Sequence, residues 1–207
     1  MNKRLSLVAT VLLMTGTASA FAASNTDLTV TGTITPSACT PTLSNGGTID
    51  YGKISAKDLN ADRQTNLTTQ QLQMNVNCDA ATLMAIETKD NRLGSAFIND
   101  TYDFGLGLIN GNEKLGAMSL SLVAQVADGA PARSITSEDG GSTWIFGIYI
   151  AKDNIISVAD TSTAAPIPVQ QFTADLRVSP RIAPTNGLTL TNEVSIDGSV
   201  TMTVRYL

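Results

Sequence analysis

The sequence predicts an all-β fold, an antiparallel β-sandwich, and three observations favour it. In the last nine residues, Ser199–Leu207, apolar side chains alternate one by one with polar ones. A period of two is typical of a strand with one buried face. Short alternating segments separated by turn residues recur throughout the chain, and helical periodicity is scarce.

Alternation of apolar and polar residues places the individual elements. It predicts strands, in chain order, over residues 28–35, 48–54, 72–78, 83–87, 104–109, 119–126, 144–150, 172–178 and 188–206. Pro36 and Pro180 are expected to end the strands that precede them, and Asn110-Gly111 indicates a hairpin. We expect one short helical turn between Ala56 and Leu72 and a flexible loop over Ser157–Pro168.

The N-terminus has the organisation of a secretory signal. Lys3 and Arg4 precede an apolar run from Leu5 to Gly16, and Ala20-Phe21-Ala22 fits a cleavage pattern. The run is shorter than the roughly 17–25 residues of a membrane span, although an N-terminal anchor is the alternative. We therefore predict a signal peptide over residues 1–22 and one exported domain over residues 23–207, of a size typical of single domains.

Charge argues against nucleic acid as a partner. The chain has 13 basic and 18 acidic residues, and removal of Lys3 and Arg4 with the signal leaves 11 against 18, a net charge of −7. Such a chain is repelled by phosphate backbones and by anionic membrane surfaces.

The chain contains two cysteines, Cys39 and Cys78. In an oxidising compartment an even pair indicates a disulfide, and two buried free thiols are the alternative. A zinc site is not expected, because two ligands are too few and the chain has no histidine.

The sequence offers no catalytic motif. Without histidine, the usual general base and the Ser-His triad are missing, so no catalytic residue, metal or cofactor is predicted, and an enzyme is the least favoured class. The carboxylates in the polar loops, Asp100 with Asp103 and Glu138 with Asp139, are interpreted as solvated, and a Ca²⁺ or glycosidase site is the alternative. Trp144 and Tyr149 are interpreted as core residues, with a glycan site as the alternative.

Several segments together resemble chaperone–usher fimbrial subunits, the pilins of Gram-negative bacteria. Gly32 precedes the first cysteine by seven residues, and the stretch Ile49-Asp50-Tyr51-Gly52-Lys53-Ile54 is similar to a family pattern. Leu72–Asp79 resembles the strand that carries the second cysteine, and the Phe172 strand precedes an alternating terminus with Tyr206 in the penultimate position.

The resemblance implies an incomplete immunoglobulin-like, pilin-type sandwich that lacks its final strand. A periplasmic chaperone fills the vacancy first, and the N-terminal extension of another subunit replaces it at an outer-membrane usher. The resemblance places five residues at this chaperone- and subunit-binding groove: Val200, Met202, Val204, Tyr206 and Leu207. It implies a non-enzymatic structural subunit that passes through the periplasm to the fimbria or cell surface.

The predicted strand at Leu28 leaves about five residues after cleavage, whereas a donor segment of about 3.3 Å per residue needs roughly ten. We therefore expect a subunit that accepts a strand without donating one. The alternative function is a tip adhesin or carbohydrate-binding module that uses loops such as Asn99–Asp103 or Ser137–Gly141, with a host or surface glycan as its partner.

Overall fold

The computed structural model describes residues 28–32 and 38–207. The chain divides into two units, residues 1–34 and residues 35–207. The predicted signal peptide lies outside the described residues. In the first unit, residues 28–32 form no strand, and Leu28 and Val30 are 88% and 86% exposed. The strand predicted from Leu28 is therefore wrong over its described part, because an alternating segment becomes a strand only beside a sheet edge that pairs with it.

The second unit is almost entirely β, as predicted. Its larger sheet contains β1 (Cys39–Leu43), β2 (Thr65–Asn66), β3 (Gln70–Thr82), β5 (Phe104–Gly105), β8 (Gly116–Ala127), β9 (Ala130–Pro131), β12 (Tyr149–Ile150) and β14 (Val169–Ile182). Its smaller sheet contains β4 (Met84–Asp90), β10 (Arg133–Ser137), β11 (Ile145–Phe146), β13 (Ile155–Ala159) and β15 (Val200–Tyr206). The strands β6 (Leu108–Ile109) and β7 (Glu113–Lys114) form the hairpin expected at Asn110-Gly111.

All named strands pair antiparallel. The order of the larger sheet is β1-β3-β14-β8-β12, and that of the smaller sheet is β11-β10-β13-β4-β15. Three short 3-10 helices, Ser44–Gly47, Ala56–Asp58 and Thr185–Gly187, complete the described elements, and the second is the helical turn expected after Ala56. None of the described residues forms a helix long and apolar enough to cross a membrane.

The core lies between the two sheets. Alternate residues of β3 are buried, namely Leu72, Met74, Val76 and Cys78, and β14 repeats the pattern. Phe104 and Phe172 are among the largest fully buried side chains. The fold is therefore the predicted antiparallel sandwich, with its apolar faces turned inward.

β14 continues past Pro180, where the sequence predicted its end. On one side, pairing with β3 ends at Val178 and pairing with β2 begins at Arg181. Pro180 lies between these two ladders, where its missing N–H deprives no neighbour of a hydrogen bond.

The segment 144–150 is two strands rather than one. Ile145–Phe146 belongs to the smaller sheet and Tyr149–Ile150 to the larger, so the chain changes sheets at Gly147. A Cβ on Gly147 would lie 2.5 Å from Thr136 Cγ2, which shows how closely the chain passes there. This crossover explains why apolar residues face both ways along the segment.

The disulfide predicted between Cys39 and Cys78 is present and joins β1 to β3. The two residues are direct partners in the ladder and are 39 positions apart in sequence. Closing a loop of that length stabilises the fold by about 4 kcal/mol in the chain-entropy model.

Candidate strand-binding groove

The C-terminal strand lies at an edge of the smaller sheet. β15 pairs with β4 along its whole length, from Val200 opposite Asp90 to Tyr206 opposite Met84. Val200, Met202 and Val204 are half-buried and pack against the core, and the residues between them are exposed. Among the described residues, no strand pairs with the other side of β15. The alternation of β15 is therefore as predicted, and its outer edge leaves backbone groups free for a further strand.

The first strand occupies the corresponding edge of the larger sheet. β1 pairs with β3, and no described strand lies on its other side. β1 and β15 meet at one end, where the Cys39 amide donates a hydrogen bond of 2.9 Å to the Tyr206 hydroxyl oxygen. Away from this contact the seam between the two sheets is open.

The open seam begins with a narrow cavity of about 260 Å³. Its floor is formed by core side chains, including Leu72, Leu106, Met118, Leu120, Leu176 and Val178. Leu43, Val200 and Met202 contribute to its walls. The cavity therefore exposes core side chains beside Val200 and Met202, two of the five residues that the resemblance assigns to a binding groove.

Beyond the narrow cavity lies a wide cleft of about 810 Å³. Two extended segments face each other across it, residues 49–56, here called lip 1, and residues 190–196, called lip 2. Leu59, Leu115 and Ile182 line it as well. Together the narrow cavity and the wide cleft form the groove.

Both lips were predicted as strands, and neither is one. Apolar residues alternate over part of each lip, at Ile49 and Tyr51 and at Val194 and Ile196. Ile49, Tyr51 and Val194 are half-buried. No ladder joins the lips to each other or to a sheet in the described part of the chain. Each lip thus carries the pattern of a strand without the neighbour that would make it one.

Side-chain hydrogen bonds hold the lips in place of a ladder. In lip 1, the Tyr51 hydroxyl donates to the Thr68 carbonyl at 2.7 Å, and partial burial raises the pKa of Tyr51. Gly52, with φ of 61°, donates its amide to Asp50 Oδ1. Lip 1 is therefore fixed near its middle by two short-range contacts.

Lip 2 is anchored at its two ends. At one end, the Thr189 amide donates to Glu113 Oε2 at 2.6 Å, which lowers the pKa of Glu113. At the other, Arg92 donates two hydrogen bonds to the Asp197 carboxylate, at 2.7 and 2.8 Å, and the pKa of Asp197 is lowered mainly by them. Such bidentate pairs are among the stronger surface contacts.

One ion pair crosses the wide cleft. Lys53 Nζ in lip 1 lies 2.6 Å from Glu193 Oε1 in lip 2, and both side chains are 86% exposed. This pair could not be predicted from the sequence, because its two members are 140 residues apart and neither belongs to a local charge pattern.

The carboxylates of the two candidate loops have structural partners. Asp103 is buried and paired with Arg181 rather than solvated, which corrects the sequence interpretation. Burial raises the pKa of Asp103, and Arg181 opposes that shift. Lys152 Nζ donates to the carbonyl oxygens of Asp100 and Asp103, both at 2.8 Å. Sequence reading missed Arg181 because it ended β14 at Pro180.

Asp139 organises the other loop. Its carboxylate accepts hydrogen bonds from the backbone and hydroxyl of Thr143, from the Ser142 amide and from the Ser137 hydroxyl. These bonds, those of Thr143 most, hold the pKa of Asp139 well below its usual range. The loop 137–143 is therefore a fixed turn.

The two aromatic residues named as candidates differ in exposure. The Trp144 indole donates to the Gly141 carbonyl at 3.0 Å and is half-buried. Tyr149 is 57% exposed, and Tyr102 beside it is 41% exposed. Their rings meet edge to face, with centroids 6.2 Å apart. Tyr149 is thus a surface residue rather than the core residue expected.

Comparison with known proteins finds two relatives in Escherichia coli (strain K12). The chain is similar to Protein GltF, with 28% identity over 88% of this chain and 89% of that protein. It is also similar to the uncharacterized protein YhcF, with 27% identity over 95% of this chain and 98% of that protein. Residues 28–103 match a family described as a protein of unknown function, DUF1120. The likeness to full-length bacterial proteins fits a periplasmic or surface protein.

Proposed function

We propose that this protein is a non-enzymatic structural subunit of a fimbria or similar surface assembly, completed by a β-strand from another polypeptide. The observation that carries the proposal is the groove between β1 and β15, which exposes core side chains beside two unpaired sheet edges. Its partners would be a periplasmic chaperone, an outer-membrane usher and other subunits. It would bind them after export, during or after its passage through the periplasm.

Strand addition explains the groove energetically. A strand along the outer edge of β15 gains main-chain hydrogen bonds, and alternate side chains enter the interior. Val200, Met202 and Val204 would then become fully buried, and each Å² of apolar surface covered contributes about 25 cal/mol. An edge of this kind left open is prone to aggregation.

The C-terminal residues Tyr206 and Leu207 play different parts in this proposal. Tyr206 closes the end of the groove through Cys39, so it bounds the strand site. Leu207 donates its amide to the Leu83 carbonyl and remains exposed. Its carboxylate is proposed to bind basic residues of the chaperone, as the family resemblance implies.

The chain is also proposed to donate a strand. The expectation that it could not rested on a strand beginning at Leu28, and residues 28–32 form none. The first described strand begins at Cys39, so about sixteen residues separate it from the predicted cleavage site, more than the roughly ten that a strand-long groove requires. Leu28 and Val30 supply alternating apolar side chains for that purpose.

Site-specific photo-crosslinking tests this function. A photoreactive residue at Met202, which faces the groove, should capture an extended segment of another exported protein, identified by mass spectrometry. The same residue at Thr203, which faces outward on the same strand, is the matched control. Equal capture at both positions, or none at Met202 in cells that make the full assembly, would overturn the proposal.

A second candidate function is glycan binding, and the exposed pair Tyr102 and Tyr149 favours it. Tyr102 lies within the predicted loop Asn99–Asp103, and Tyr149 lies on β12, which is the edge of the larger sheet opposite β1. Aromatic surfaces with a polar group suit sugar rings. A Tyr149→Ala variant that loses binding on a glycan array, while Ile145→Ala retains it, would support this function.

A further inference from the structure

The two lips of the wide cleft are joined at one point only within the described part of the chain. That point is the Lys53–Glu193 ion pair. The floor below is apolar and includes Leu115 and Ile182 of the core. A cleft walled by two strand-like segments and bridged by a single exposed ion pair is the least restrained part of the groove.

The polar contacts that hold lip 2 to the rest of the sandwich lie at its two ends. Thr189 is held by Glu113, and Asp197 by Arg92 and by a hydrogen bond from its amide to the Leu106 carbonyl. Between these anchors, residues 190–196 make no backbone–backbone hydrogen bond with any other described residue. Breaking the contact with Lys53 would therefore leave these seven residues held, between their two ends, only by the packing of Leu190 and Val194 against the core.

We propose that the Lys53–Glu193 pair is a clasp that draws the two lips together over the wide cleft, and that an incoming strand must displace it. The occupant is the alternating strand of the proposed function, and that part of the inference rests on it. The evidence for the clasp itself is the ion pair and the absence of a β-ladder between the two lips in the described part of the chain.

The strength of the clasp follows from its exposure. An ion pair in water is weak and is screened by salt. It is therefore easily opened by a strand that offers ladder hydrogen bonds and apolar contacts in exchange. Salt should open the cleft and accelerate strand uptake, whereas salt has little effect on uptake driven by apolar contacts alone.

The first experiment measures the cleft without any partner. Ser55→Cys and Thr191→Cys, one in each lip, carry spin labels, and the native cysteines are not labelled because they form the disulfide. We expect the distance distribution to lengthen or broaden in 0.5 M NaCl and, at low salt, in Lys53→Gln. Lys57→Gln removes an exposed lysine that has no ion partner among residues 28–32 and 38–207, and it should leave the distances unchanged. An unchanged distribution in Lys53→Gln would overturn the clasp.

The second experiment measures strand uptake with a defined probe, a fluorescent peptide of residues 24–36 of this chain. At low salt, Lys53→Gln should raise the association rate about two- to fivefold, the range expected of an exposed pair, and flatten its salt dependence. Exchanging the charges in Lys53→Glu with Glu193→Lys should restore the wild-type rate. If the peptide binds and Lys53→Gln leaves rate and salt dependence unchanged, the clasp is wrong.

The two proposals fail in different ways. Spin-label distances that respond to Lys53→Gln, with a peptide and a crosslinker that find no occupant, would contradict the proposed function and support the clasp. If the peptide binds with the same rate and salt dependence in Lys53→Gln as in the wild type, the clasp is contradicted and the proposed function is supported.

Discussion

The two ends of the groove are held together by different kinds of contact. At the narrow end, alternating residues of β15 lie beside β4, and a disulfide and the Tyr206–Cys39 hydrogen bond hold the edges. At the wide end, lip 1 and lip 2 alternate only in part, since the pattern breaks after Tyr51 and at Asn192. They have no neighbouring strand, and charged side chains hold them instead. The pattern of a strand is thus a capacity to pair, and only a partner at the correct distance turns it into a ladder.

Removal of the disulfide at the narrow end should have the largest effect on stability. Cys39→Ser with Cys78→Ser should lower the free energy of unfolding by about 4 kcal/mol, because the unfolded chain regains the entropy of the open loop. Urea unfolding monitored by Trp144 fluorescence measures it. A loss below about 1 kcal/mol would mean that β1 is held mainly by its ladder.

Removal of the hydrogen bond between the two sheet edges should have a smaller effect on stability. Tyr206→Phe removes the hydroxyl that accepts from the Cys39 amide and should cost about 1 kcal/mol. Hydrogen exchange should show a faster Cys39 amide and an unchanged Val76 amide in the core. If the Cys39 amide keeps its protection, the narrow end is closed by β1 and its disulfide alone.

The smallest effect is a pH response confined to the wide end. Hydrogen bonds from Thr189 lower the pKa of Glu113, so its contribution is complete above the unfolded pKa, near 4.3, and is lost as pH falls through the lower folded value. The Thr189 amide chemical shift should therefore titrate below pH 4.3, and Glu113→Gln should abolish the response. A titration midpoint at or above 4.3 would contradict this assignment.

Much of the sandwich was readable from the sequence, and its failures have physical causes. β3 and β15 were found because each buries one face, which leaves a clean alternation. β13 was missed because all of its residues from Ile155 to Ala159 are buried, which removes the period of two. The segment 144–150 was read as one strand because nothing in the sequence marks a change of sheet.

The groove was only half predictable. Val200, Met202 and Val204 are half-buried on β15, at the edge of the smaller sheet, and their role in binding stays a prediction. The bonds that hold the wide end, Lys53 with Glu193 and Arg92 with Asp197, join residues 140 and 105 positions apart. A single sequence carries no local signal for such pairs.

The hydrogen bond between Cys39 and Tyr206 also has a consequence in time. It joins positions 167 residues apart, so a chain that emerges N-terminus first can make it only after all of residues 39–206 have emerged. Until then, β4 lacks β15 and one side of the smaller sheet is uncovered. Contacts of such high separation form slowly, so any partner that shields this sheet acts on a protein whose final strand has only just arrived.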